Sequence, residues 1–259
     1  MFKKIRVVIL LSILLCVALG EFLAARRSTD WDDTLWVDVY LVNGDRLDKT
    51  QRYIDSIDAK EFDGVAAFFA TEAKRYGVMI SEPFRLNLVG QYRDELPAPS
   101  PSMLGTIWWS LEMRWLTLEL GWQSSGPKPD IVAFAVYHDS AASAVLDRST
   151  ALRKGLIAVT NLFASRDARG SNQVVLAHEL LHTLGATDKY ARESNLPQFP
   201  DGFADPSLTP PLPQKKAEVM AGRIPLDERH AATPESLRNV VVGRLTAEEI
   251  GRASCRERV

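Results

Sequence analysis

Cysteine is almost missing from this 259-residue chain: there are two, Cys16 and Cys255, both near the termini. A disulfide framework inside residues 28–250 is therefore excluded, and so is any metal site built on clustered thiolates. Histidine is also scarce, with four copies at His138, His178, His182 and His230. Positive charge is short as well. The formal net charge is -2; setting aside residues 1–27 (five bases, one acid) and residues 251–259 (three bases, one acid) leaves -8 for the rest. That balance argues against nucleic acid as a partner, because phosphate backbones are held by a surplus of lysine and arginine. No internal repeat and no low-complexity linker breaks residues 28–250, which read as a single domain. With 46% hydrophobic residues, the chain has enough material for a core.

A long apolar run is found only at the start. The basic hexapeptide MFKKIR leads into VVILLSILLCVALG at residues 7–20, the pattern of an export signal. Two outcomes are open, a cleaved signal peptide or an N-terminal membrane anchor. Ala18-Leu19-Gly20 resembles a cleavage site, yet the apolar stretch resumes at Phe22. Counted to Ala25 it has nineteen residues interrupted only by Glu21, near the roughly 20 of a spanning helix. This favours the anchor. Either outcome puts the domain outside the cytoplasm. At the other end, residues 251–259, GRASCRERV, read like a sequencing adapter translated in frame and are expected to be non-native. Just before them, Thr246-Ala247-Glu248-Glu249 has the form of a capping box opening a helix.

Between these ends, aromatic and β-branched runs predict strands at residues 35–42 (LWVDVYLV), 84–89 (FRLNLV), 131–137 (IVAFAVY) and 156–163 (LIAVTNLF). Helical spacing predicts helices at residues 49–57, 61–76 and 103–122. Strands alternating with helices imply an α/β fold with a mostly parallel sheet. The 103–122 helix holds four of the six tryptophans, with a stripe of Leu104, Ile107, Trp108, Leu111, Trp115, Leu118 and Trp122. Trp109, Met113, Leu116 and Leu120 fall off the stripe, so the helix is apolar most of the way round. It is expected to be buried between the sheet and another layer rather than to lie on a membrane. Residues 196–214 hold six of the fourteen prolines and predict no regular structure. Thr233-Pro234-Glu235-Ser236 looks like a cap with proline at the first helical position.

The chemistry concentrates in residues 177–190, AHELLHTLGATDKY. On a helix, His178 and His182 lie one turn apart on one face and can meet one cation, while Glu179 projects about 100° away. That leaves Glu179 free to act on a water. Gly185 can take the left-handed conformation that ends a helix, after which Asp188 can return toward the cation as a third ligand. Three protein ligands and an open position describe a catalytic zinc site, where a bound water becomes acidic enough for a carboxylate to take its proton. His138 at a strand end and His230 in a polar segment read as structural or solvated residues. Asp201 and Asp205 offer fewer oxygens than calcium needs.

HELLHTLGATD resembles the HExxHxxGxx(H/D) pattern of the metzincin clan of zinc metallopeptidases, in the form with aspartate as the third ligand seen in snapalysin-like members. By position, the resemblance implies one Zn²⁺ held by His178, His182 and Asp188, with Glu179 as general base. It further implies a methionine turn beneath the metal, for which Glu218-Val219-Met220-Ala221-Gly222 is the candidate, with Met220 packing under the histidines. A tyrosine that some relatives carry two residues after that methionine is replaced by Gly222; Tyr190 is an alternative donor to an oxyanion, though a structural hydroxyl is the plainer reading. Latency through a zinc-bound cysteine is excluded in residues 28–250, which have none. The fold implied is a sheet with helices above a cleft, an irregular lower part, and an edge strand within residues 131–163 that holds a peptide substrate by strand addition.

The expected activity is zinc-dependent hydrolysis of peptide or protein by an extracytoplasmic, membrane-anchored or secreted enzyme. With an anionic ligand the water is less acidified than with three histidines, so an alkaline optimum is expected; an optimum below about pH 6 contradicts it. Two alternatives are a non-catalytic exported module with structural zinc and a zinc hydrolase of a non-peptide amide. Glu179 argues against the first, since a structural site has no use for it.

Overall fold

Leu35–Asn43 forms β1, an interior strand of the sheet, because its β-branched and aromatic side chains suit a strand covered on both faces. The structure, a computed structural model, describes Arg6 and residues 29–98, 102–123, 128–141, 149–152 and 156–251. The apolar segment 7–25, both cysteines and residues 252–259 lie outside the described residues. Among those described, no helix is long and apolar enough to cross a membrane.

β1 pairs in parallel with β2 (Phe84–Gln91) on one side and β3 (Ile131–His138) on the other, and β3 pairs in parallel with β5 (Ile157–Phe163). The short β4 (Thr150–Leu152) closes the far edge antiparallel to β5, giving the order β2-β1-β3-β5-β4. This is a mixed α/β fold with a five-stranded, mostly parallel sheet. The four parallel strands fall where alternation and β-branching predict them; β4 was not predicted, since three residues are too few to show a period. Asp38, an acid within the buried β1, accepts a hydrogen bond at 3.0 Å from Asn87 Nδ2 on β2, which satisfies it where no water reaches.

The two faces of the sheet carry different helices. Val37, Val39 and Leu41 of β1 with Ile131, Ala133 and Ala135 of β3 face α1 (Asp48–Ile54), α2 (Asp63–Arg75) and α4 (Arg169–Leu184). Tyr40, Val42, Phe134, Val136 and Ile157 face α3 (Met103–Gln123). Here the structure corrects the sequence reading. α3 meets the sheet through Trp109 and Met113, 3% and 0% exposed, with Leu116 and Leu120 beside them, while the predicted stripe faces outward. A helix apolar all round carries no signal for which side the sheet takes, and no second layer covers α3 among the described residues.

After Gly185 the chain is mostly irregular. Its regular parts are two-residue pairs, β6 (Ala217–Glu218) parallel to β9 (Val240–Val241) and β7 (Ile224–Pro225) antiparallel to β8 (Ala231–Ala232), and the short α5 (Arg244–Glu249). The helix predicted at Pro234 does not form; a single 3₁₀ turn, Leu237–Asn239, follows Ser236 instead. Nor is Thr246 a cap. α5 begins after Gly243, and the Thr246 hydroxyl, inside the helix, donates to Glu218 Oε1 at 2.7 Å. The two ends of the domain meet where Trp31 Nε1 donates to the carbonyl of Ile250 at 2.8 Å.

Candidate metal centre

α4 is anchored at both ends before any site is formed. At its start no side chain caps the helix; instead Asn172 Oδ1 accepts from Phe163 N and its Nδ2 donates to Phe163 O, fixing the first turn to the end of β5. Along its length Leu176, Ala177, Leu180, Leu181 and Leu184 are at most 1% exposed against the sheet, each leucine contributing on the order of 2 kcal/mol by burial. At its end Gly185 takes φ 105°, and Ala186 N donates back to Leu181 O at 3.1 Å, the six-to-one bond that closes a helix with a left-handed residue. A side chain at Gly185 would be strained there.

This frame puts His178 and His182 side by side, their ring centroids 4.6 Å apart. His178 Nδ1 lies 2.9 Å from the carbonyl oxygen of Val219, and His182 Nδ1 lies 2.8 Å from that of Ala186. A carbonyl only accepts, so each Nδ1 donates a proton, and Nε2 is the ring nitrogen left to face the site. Both Nε2 atoms lie near Asp188: its Oδ1 is 3.3 Å from His178 Nε2 and 3.0 Å from His182 Nε2. Oδ1 is buried and approaches both nitrogens without the alignment of a hydrogen bond. These separations match the spacing of two ligands on one tetrahedral ion, which at about 2.0–2.1 Å from the ion are roughly 3.3 Å apart.

Glu179 lies next to this set. One carboxylate oxygen and one ring nitrogen of each histidine lie within 4.8 Å of one another, so His178, Glu179 and His182 form a group able to hold a metal ion. Two triads thus share the histidines, one completed by Glu179 and one by Asp188. The Asp188 oxygen is the one at ligand-to-ligand distance from both nitrogens. Glu179 Oε2 is buried with no hydrogen-bond partner, an arrangement that calls for a polar molecule from outside the chain.

Charges in the site influence one another. Burial pushes the Glu179 carboxyl above its ordinary range; the two imidazoles oppose this and Asp188 reinforces it. For Asp188, burial alone would raise the carboxyl, but the two histidines hold it far below the carboxylate range. Burial alone would lower His178, yet contacts with Asp188 and Glu179 raise it overall.

Residues 218–222 fold under the ligand helix. Val219 O receives the His178 proton, and Met220 O receives the Lys189 N–H at 3.0 Å, so one turn touches both the histidine helix and the aspartate loop. Met220 itself is 0% exposed, and Gly222 turns the chain with φ 68°. The predicted histidines, glutamate, aspartate and methionine turn are therefore brought together. Tyr190 pairs its backbone with Pro197; His138 Nε2 contacts Asn161 Oδ1 at 3.0 Å, His230 sits on Asp227, and Asp205 binds the Ser207 turn, so these last three have partners away from the site.

Three polar residues that sequence reasoning missed hold this arrangement. Glu218 is fully buried, and its carboxylate accepts from Met220 N, Ala221 N, Gly243 N and Thr246 Oγ1. A Cβ on Gly243 would lie 2.8 Å from Glu218 Cγ, so glycine permits the approach. Lys189, 4% exposed, directs Nζ to Thr187 O, Thr187 Oγ1 and Glu249 Oε2 at 2.7–2.8 Å. Glu249 also accepts from Thr187 N, closing a clamp around the residue before and the residue after Asp188. The only sequence signals were an acid inside the apolar AEVMA and a lysine next to the aspartate. No family model matches the chain, and no curated protein matches it.

Proposed function

We propose that the chain is a zinc-dependent peptidase, with His178, His182 and Asp188 holding the ion and Glu179 acting as general base and then general acid. The observation that carries this reading is the approach of two histidine Nε2 atoms to Asp188 Oδ1 at 3.0–3.3 Å beside a buried, unpartnered Glu179 oxygen. A pair of imidazoles with one carboxylate suits zinc, and three ligands leave a coordination position open. When bound, zinc supplies Lewis acidity, making water more acidic and polarising a carbonyl.

The chain's own groups do the rest. Glu179 accepts a proton from the attacking water as the new C–O bond forms, and gives it to the amine nitrogen as the C–N bond breaks. Its shielding from solvent keeps it protonated long enough for that transfer. Val219 O and Ala186 O orient the two rings; the 218–222 turn and the Lys189 clamp fix the aspartate loop. β4, at the sheet edge beside α4, is the strand to which an extended peptide would add its backbone hydrogen bonds. The resemblance of HELLHTLGATD to metzincin peptidases supports the same assignment, as does the position of Met220. The N-terminal apolar segment supports an extracytoplasmic, membrane-anchored or secreted location.

The test is cleavage of an unstructured protein such as casein by the purified chain, with and without chelator, beside Glu179→Ala. Cleavage by the natural sequence that stops with chelator, and a variant that retains metal but cleaves about 10²–10⁴-fold more slowly, are expected. Equal activity in the variant excludes Glu179 as base. Metal without any cleavage favours the structural-zinc alternative.

A further inference from the structure

α3 presents an unusual surface. Leu104, Ile107, Trp108, Leu111, Trp115, Leu118 and Trp122 form one stripe along nearly the whole 21-residue helix and are 47–77% exposed. The three tryptophans are 62–73% exposed and alone leave roughly 400 Å² of aromatic surface, already within the about 300–600 Å² of the largest apolar patch on an ordinary monomer. Its other side is spoken for, since Trp109 and Met113 pack on the sheet. A groove of about 850 Å³ between α3 and residues 92–98 extends the apolar surface through Leu96 and Pro97.

We propose that this face lies on the surface of a zwitterionic lipid bilayer, the one that residues 7–25 would enter if they act as the membrane anchor their sequence suggests. Three observations select that occupant. Tryptophan prefers the membrane–water interface, where an apolar ring and a polar N–H are both accommodated, and half of the chain's tryptophans are on this one stripe. The second is placement. α3 connects β2 to β3, which run parallel within one sheet, so it returns the chain to the edge where β1 to β3 begin. Asp130 ties that edge to Trp36 by two hydrogen bonds at 2.9 and 3.0 Å, and Trp31 packs there on Phe84, the first residue of β2. The apolar segment ends at Ala25, and the five residues 26–30 reach at most about 17 Å. The third is charge. α3 carries Glu112 and Glu119 against one Arg114, and residues 28–250 carry -8, which repels anionic headgroups and leaves apolar contact as the attraction.

The consequence is an orientation. α4 lies on the opposite face of the sheet, so a domain resting on α3 holds the candidate metal centre away from the bilayer. The proposal does not depend on the zinc reading.

The experiment uses the full chain in phosphatidylcholine vesicles, plain or with brominated acyl chains, and reads tryptophan fluorescence. Because three of six tryptophans are on the stripe, bromination is expected to lower emission by about 2-fold. In Trp108→Phe/Trp115→Phe/Trp122→Phe, which keeps the face apolar, the loss should shrink to less than about 1.2-fold. Equal emission in the two vesicle types overturns the proposal. So does equal quenching in the triple variant, which would place the lipid contact elsewhere. Bromine-insensitive emission with a dimer that Leu111→Lys dissolves would assign the face to a second copy, and a blue-shifted, bromine-insensitive monomer would assign it to residues 7–25.

Discussion

The helix that carries the two histidines and the loop that carries the aspartate are held by different forces. α4 is fixed chiefly by leucines against a sheet, with polar ties at its first turns from Arg169, Asn172 and Gln173 and a left-handed Gly185 at its end. The segment after Gly185 has almost no regular structure, and buried charges organise it: Glu218 gathers four donors from the methionine turn and α5, and Lys189 with Glu249 grips the aspartate loop. Apolar packing tolerates adjustment in small steps, whereas a buried carboxylate with four donors either has them or leaves them unpaired. The site lies where these two kinds of order meet, and His178 Nδ1 on Val219 O and His182 Nδ1 on Ala186 O cross between them.

The largest expected effect falls on the junction. His182→Ala removes one of two nitrogens and is expected to weaken metal binding by more than about 100-fold, abolishing any cleavage; titration with zinc measures it, and unchanged affinity would mean the ion is held elsewhere. Next is the polar side. Glu218→Ala strips an acceptor from four buried donors and should cost about 3–5 kcal/mol in a thermal or denaturant melt, with weaker metal binding because the 218–222 turn loosens. The apolar side should respond differently: Leu180→Ala costs about 2–4 kcal/mol while metal affinity changes little, since α4 keeps its anchors at both ends. If the two variants lose metal affinity equally, the division drawn between the regions is wrong.

The smallest effect is pH-dependent. Glu249 is partly buried, which alone would raise its carboxyl, but Lys189 and Thr187 hold it below the ordinary range. A carboxyl depressed in the folded state contributes stability above its unfolded value near ~4.3 and loses it as pH falls through the folded value. Glu249→Gln should therefore cost about 1–2 kcal/mol at pH 7, and the difference from the natural chain should shrink as the pH falls below the ordinary carboxylate range of ~4.3 and through the folded value. A constant difference across that range would mean the clamp acts by shape, not charge.

How much of this was legible in the sequence follows the same division. Periodic apolar patterns gave β1, β2, β3, β5 and α4, because parallel core strands and a core helix advertise themselves by hydrophobicity. The grouping of the candidate ligands was legible because their spacing is set by helix geometry and one glycine. The outward stripe of α3 was not, since a helix apolar on every side hides its orientation. Thr246 was misread as a cap because a threonine three residues before a glutamate looks the same whether its hydroxyl meets its own helix or a distant Glu218. That partner lies 28 residues away, and no local pattern encodes it.

The central claim is that two histidines and an aspartate form one metal site. Elemental analysis of the purified chain after equilibration with zinc and removal of excess tests it directly, with the double variant His178→Ala/His182→Ala as control. The account predicts close to one zinc per chain, and none above background in the double variant. A chain that retains no zinc, or a double variant that retains as much, would contradict it.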